Sequence, residues 1–203
     1  MNHQMKNLQE LSDQKLIKNY IAGDSKSFEV LIERYRNRLF SYIYYTINNR
    51  HQAEDIFQET CIKAITSMLD GRYSESGRFL PWLTRIAHNL IIDYFRHEKL
   101  LKFFSTDSFS APIFNSSQYT EHTIEDDLIR NQIYADVRNL INYLPDEQKE
   151  IILLRYYGNL SFKEIAELTH VKINTALGRM RYALINLRRL IEEKGIQVTM
   201  SGK

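Results

Sequence analysis

The chain has 203 residues, is 43% hydrophobic and 26% charged, and carries a net charge of +2 with a single cysteine. That length suits one large or two small domains; the lone Cys61 excludes an intrachain disulfide and fits a reducing cytoplasm. The polar start Met1-Asn2-His3-Gln4-Met5-Lys6 leads into no apolar core of a signal peptide, and no run is long and apolar enough for a membrane span.

Seven glycines and three prolines, among many Leu, Ile, Glu, Lys and Tyr, predict an all-α protein. Charge is distributed unevenly. Residues 1–97 hold 13 basic and 11 acidic groups, residues 98–127 hold 2 and 6, and residues 128–203 hold 12 and 8. A negative stretch between two positive blocks suits two nucleic-acid-facing modules joined by a segment that is not one.

Residues 10–97 read as nearly continuous helix. Ser12-Asp13 caps a first helix from Gln14 to Ala22, and Gly23-Asp24 breaks it. Ser25 or Ser27 starts a second, through Phe28, Leu31, Ile32, Tyr35, Leu39, Tyr42 and Ile43, which recur at three and four. Asn48-Asn49-Arg50 interrupts. A third runs from Ala53 to Leu69 with Ile56, Phe57, Thr60, Cys61, Ala64, Ile65 and Met68 on its apolar face. Gly71 to Gly77 is a polar loop, and a fourth helix spans Phe79 to Arg96 with Pro81 in its first turn. Residues 98–123, rich in Ser, Thr and Phe, show no period and read as a flexible inter-domain linker. A second domain, 124–193, opens at the cap Thr123-Ile124-Glu125-Asp126.

Within it, Pro145-Asp146-Glu147 opens a helix, Ile151-Ile152-Leu153-Leu154 follows, and Gly158 is a natural stop. Ser161-Phe162-Lys163-Glu164 matches a capping box, in which hydroxyl and carboxylate satisfy each other's orphan backbone donors. The helix it starts is about two turns long and carries Ala166, small enough to let two helices cross closely. After a break at Thr169-His170-Val171 comes a longer helix with Lys172, Arg179, Arg181, Arg188 and Arg189. Its apolar positions Ile173, Ala176, Met180, Ala183/Leu184, Leu187 and Ile191 predict one buried face. A short capped helix, a turn and a basic amphipathic helix make a helix-turn-helix, whose second helix fits the major groove. The bland alternative is an αα-hairpin with a polar surface.

Three constellations upstream narrow this reading: Ala53-Glu54-Asp55-Ile56-Phe57-Gln58-Glu59, then Phe79-Leu80-Pro81-Trp82-Leu83-Thr84-Arg85-Ile86-Ala87-His88-Asn89, then Asp93-Tyr94-Phe95-Arg96. Together with Leu160-Ser161-Phe162-Lys163-Glu164-Ile165-Ala166-Glu167, they resemble the extracytoplasmic-function (ECF) sigma factors of the sigma-70 family. The resemblance covers Asp24 to Ile191, and the pattern includes neither the N-terminal inhibitory region nor the middle domain of larger members.

The resemblance implies a subunit that directs bacterial core RNA polymerase to promoter DNA by melting the −10 region and recognising the −35 element. It places Asp55, Gln58 and Glu59 against the polymerase clamp, where an acidic patch gives steering and register. It puts Arg72, Ser74, Arg78, His88, Asn89 and Arg96 along −10 DNA, where an extruded base needs compensating hydrogen bonds and stacking. Lys172, Asn174, Thr175, Gly178, Arg179 and Arg181 fall where the family reads the −35 element. An anti-sigma protein is a further implied partner.

The chain departs from the family pattern at four places. His170 stands where Gly usually turns, Leu177 and Gly178 replace Lys-Ser, and Cys61 replaces an aromatic. Trp82 suits either duplex splitting or the core, and Asp93 with Arg96 also fits a plain i,i+3 pair. No phosphate-cradling loop, nucleophile elbow or metal-ligand spacing is present, so neither an enzyme nor a bound cofactor is expected. The competing reading is a helix-turn-helix regulator that works without polymerase, which gives the acidic patch no purpose.

Overall fold

The computed structural model of the chain describes residues 8–73, 77–104 and 140–195. The expected helix start at Thr123 and residues 105–123 of the expected linker lie outside them. The described elements are α1 (Asp13–Ile21), α2 (Ser25–Ile47), α3 (Arg50–Leu69), α4 (Phe79–Phe104), a 3-10 turn (Ile141–Tyr143), α5 (Asp146–Tyr156), α6 (Phe162–Leu168) and α7 (Ile173–Glu193). No β-strand occurs among the described residues, and none of their helices is long and apolar enough to cross a membrane.

Local chemistry sets the helix ends. Ser12 sits extended before α1, but its side chain makes no cap hydrogen bond. The cap of α2 is Asp24, not a serine: its carboxylate accepts from the Lys26 N–H at 3.2 Å and from the Ser27 hydroxyl at 2.7 Å. Two adjacent asparagines make the next corner. Asn48 closes α2 in the left-handed region at φ 58°, which Asn tolerates better than most residues. Asn49 accepts from the Gln52 N–H, so α3 begins at Arg50, three residues before the expected Ala53. Such a cap contributes about 1 kcal/mol.

In the first module α2 packs against α1, α3 and α4. Leu31, Leu39, Tyr42 and Ile43 meet Leu16, Ala53, Ala64, Met68, Phe79, Leu83 and Ile91 in its core. Helix α4 does not stop at Arg96 but continues to Phe104, taking the first residues of the expected linker. Glu98, Lys99, Leu100, Leu101 and Lys102 are good helix formers, and no Gly or Pro intervenes to end it.

In the second module α5 packs on α6 and α7 and also on α2. That double covering explains why four consecutive residues, Ile151 to Leu154, are all buried: a helix covered on opposite sides needs apolar residues all round. The buried residues of both modules form one continuous cluster.

The join is specific. Arg38 donates to the Tyr156 carbonyl at 2.7 Å, and the Tyr45 and Tyr157 rings lie 5.7 Å apart. Gly158 does not supply the turn after α5; Asn159, at φ 56°, does. Gly158 is needed for closeness, since a Cβ there would lie 2.7 Å from Thr84 Cγ2 and from the Leu154 carbonyl oxygen.

Candidate nucleic-acid interface

Helix α3 turns Ile56, Thr60, Ala64 and Met68 inward and leaves Asp55, Gln58 and Glu59 on its outer face. The acids are partly answered along their own helix: His51 Nδ1 lies 3.2 Å from Asp55 and Lys63 Nζ 3.4 Å from Glu59. Beside them Ile62 is 61% exposed, an uncovered apolar side chain among charges. Cys61, half-buried in the same helix, has its thiol pushed up to about 11 by burial, against a small opposing effect of Arg36. It is a poor nucleophile at neutral pH.

The residues expected on −10 DNA divide. Arg72 is exposed and pairs with Asp70 at 2.5 Å. Ser74 lies outside the described residues. Arg78 reaches across to the second module, 2.8 Å from Glu164 and 3.2 Å from the Asn159 carbonyl. His88 is not on an open surface: it is 6% exposed, with Nδ1 2.9 Å from the Tyr42 hydroxyl. Burial, with the charge of His170 beyond it, holds the His88 pKa below its usual value. Helical phase within α4 anticipates the burial, since His88 falls on one face with the buried Thr84 and Ile91; the nearby charge of His170, from the turn of the helix-turn-helix, is not legible that way. Asn89 and Arg96 are exposed, and Arg96 makes the i,i+3 pair with Asp93 at 3.2 Å. Trp82 is half-buried against Tyr73 and Phe79, with ring centroids 4.5 and 5.6 Å away.

The helix-turn-helix is built as its residues dictate. The Ser161 N–H and hydroxyl donate to Glu164 at 2.8 and 2.7 Å, and the Glu164 N–H returns to Ser161 Oγ at 3.3 Å. His170 takes φ 55° in the turn, the conformation that Gly would adopt without strain. Lys172 is the extended N-cap of α7 and not part of the helix. Lys172, Asn174, Thr175 and Arg181 are exposed. Gly178 faces open space. Arg179 leans inward, half-buried beside Glu150. Burial raises the Glu150 pKa, Arg179 opposes that rise, and Glu147 and Asp146 add to it.

Sequence patterns hold no sign of one further group of residues. Arg85 Nη2 lies 3.0 Å from Glu164 Oε1, so this carboxylate takes two guanidiniums from the first module besides its cap bonds. Burial pushes the Glu164 pKa up, but the Ser161 hydrogen bonds and the charges of Arg78 and Arg85 outweigh it, and the group stays below the usual carboxylate range. Pairs 79 and 86 residues apart leave no periodic signal.

A sigma-70 region 2 family model matches residues 31–100, and a sigma-70 region 4 model matches residues 134–181. The chain is 28% identical over 189 residues to the ECF RNA polymerase sigma factor SigW of Bacillus subtilis, covering 91% of this chain and 99% of SigW. It is also 28% identical to the ECF sigma-E factor of Haemophilus influenzae, covering 92% and 96%. Among solved structures, CnrH in complex with the cytosolic domain of CnrY aligns with a TM-score of 0.59 at 18% identity, covering 90% of this chain and 99% of that one. RpoE of Bartonella quintana, with the anti-sigma factor NepR, gives 0.60 at 19%, covering 82% and 98%. Both share the fold. The two region matches, in order along one chain, and the near full-length relatives place the protein in the sigma-70 family as an ECF sigma factor.

Proposed function

We propose that this sigma factor directs core RNA polymerase to its promoters through three surfaces, with residues 10–97 serving polymerase and the −10 region and residues 124–193 the −35 element. Asp55, Gln58 and Glu59 meet a basic surface of the polymerase. Arg72, Ser74, Arg78, Asn89 and Arg96 follow the opened −10 strand, with His88 buried behind them on Tyr42. Lys172, Asn174, Thr175, Gly178, Arg179 and Arg181 enter the major groove at −35. Bond formation belongs to the polymerase; this chain positions DNA and offsets the cost of strand opening with hydrogen bonds and stacking. It works in the cytoplasm, where both partners are. The solved Bartonella RpoE is held by an anti-sigma factor, and a protein of that class is a further partner for this chain.

The observation that carries the reading is the exposed acidic face of α3 in the same chain as an exposed basic recognition helix. The test is affinity for core polymerase after Asp55→Ala with Glu59→Ala. Because both side chains lie on the outer face of α3, the fold should be unchanged. Binding should weaken about tenfold, and the difference from wild type should shrink at high salt. Unchanged affinity would remove the acidic face from the polymerase contact.

A further inference from the structure

Two rows of residues, each stepping by four, occupy the uncovered side of α7 in its first turns: Ile173, Leu177 and Arg181, and beside them Asn174, Gly178 and Tyr182. The opposite side, with Ala176, Met180 and Ala183, packs into the core of the module. Ile173 is 46% exposed and Leu177 44%, so two apolar side chains one turn apart form a strip open to water. A lone exposed leucine needs no explanation. This strip does, because it occupies the turns of a recognition helix that meet base edges. Isoleucine is also a poorer helix former than the Lys or Glu that would keep the same face solvated.

The surroundings of the strip select its occupant. Lys172 and Arg181 stand exposed at its two ends, and α7 carries no acidic residue before Glu192. A second copy of this helix would bring like charges together. Duplex DNA brings the opposite charge, and the apolar group that its bases offer in the major groove is the thymine C5 methyl. Gly178 lies next to the strip, and a Cβ there would meet nothing within 4 Å. The helix surface is recessed at that point, so the floor of the groove can come close to Leu177.

We propose that Leu177, assisted by Ile173, selects thymine in the −35 element by packing against its C5 methyl. The proposal rests on the −35 reading of α7 and adds to it two residues that make no hydrogen bond to DNA. Burying one methyl group is worth about fourfold in affinity. The preference therefore extends to thymine over uracil, which a hydrogen-bonding side chain would not distinguish, since uracil keeps the O4 acceptor.

The test measures promoter affinity of the holoenzyme, the full chain with core polymerase, on a promoter selected from a library randomised across the −35 element. Each thymine of that element, on either strand, is replaced singly by deoxyuridine, which removes the methyl and nothing else. At one or two positions wild-type affinity should fall about fourfold. At those positions Leu177→Ala should bind thymine and uracil DNA equally, and Ile173→Ala should show a smaller penalty than wild type. Leu177→Met, apolar and of similar volume, should keep the discrimination. Selected promoters that lack thymine in the −35 element overturn the proposal, and so does a scan in which no uracil costs the wild type more than it costs Leu177→Ala. Scrambling the whole −35 element separates the two readings. If scrambling abolishes tight binding while the uracil scan is flat, the −35 reading stands and the thymine contact falls. If scrambling changes nothing, the −35 reading falls and takes the proposal with it. A flat scan together with weaker binding of Leu177→Ala to core polymerase, without DNA, would give the strip to a protein surface and also overturn the proposal.

Discussion

Gly158 and Gly178 belong to the same module and make opposite demands. At Gly158 a Cβ would overlap Thr84, Leu160 and the Leu154 carbonyl; at Gly178 it would meet nothing. Gly158→Ala should therefore destabilise the protein by about 2 kcal/mol, as overpacking does. Gly178→Ala should stabilise it by up to about 1 kcal/mol through helix propensity. Urea unfolding midpoints read both, and equal effects would refute the contrast. His88 sets a pH dependence. Its folded pKa is lowered, so below about pH 6.5 the unfolded chain binds a proton that the folded chain resists, and stability falls as pH drops. The melting temperature should decline from about pH 7 to about pH 5 in the wild type. The slope should be shallower in His88→Gln, whose amide can still meet Tyr42.

Helices were legible wherever their signal was local. Ser161 and Glu164 stand three residues apart and form the box they announce, and Pro145 stands directly before α5, at its opening. Where the structure differs, the cause lies beyond one helix. The stripe expected on α7 includes Ile173 and Leu184, which are 46% and 54% exposed. The buried or half-buried line is Ala176, Met180, Ala183, Leu187 and Leu190, stepping four, three, four, three. It is narrow because the alanines let α6 approach closely, and the larger residues beside it are left outside. The unbroken run Ile151–Leu154 did carry a tertiary message: continuous burial in a short helix implies neighbours on opposite sides. Only the structure names α2 as the second neighbour.

For the whole molecule, the two-module plan could be read from charge and motif order, whereas the join between modules could not. Exposed positions such as Asp55, Glu59, Asn174 and Arg181 stand where helical phase puts them. His88 is buried in phase with Thr84 and Ile91, and what phase cannot tell is that its partner is Tyr42, 46 residues earlier in the chain. The join should show in unfolding. Trp82, the single tryptophan, reports the first module, and circular dichroism reports both. The two urea curves should coincide in the wild type and separate in Glu164→Gln; curves already separate in the wild type would mean that the modules do not support each other.

Helix α4 has one more effect, which concerns reach. Its 26 residues make a rod about 39 Å long, and the turns after Arg96 project roughly 12 Å past the expected end of the first module. The chain toward the second module thus departs from the tip of a stiff arm aimed by the four-helix core. Helical geometry makes that arm a ruler: each residue added or removed moves the tip about 1.5 Å and swings it through about 100°. Where the chain leaves the first module is thus set by the length of α4 as much as by the core it grows from.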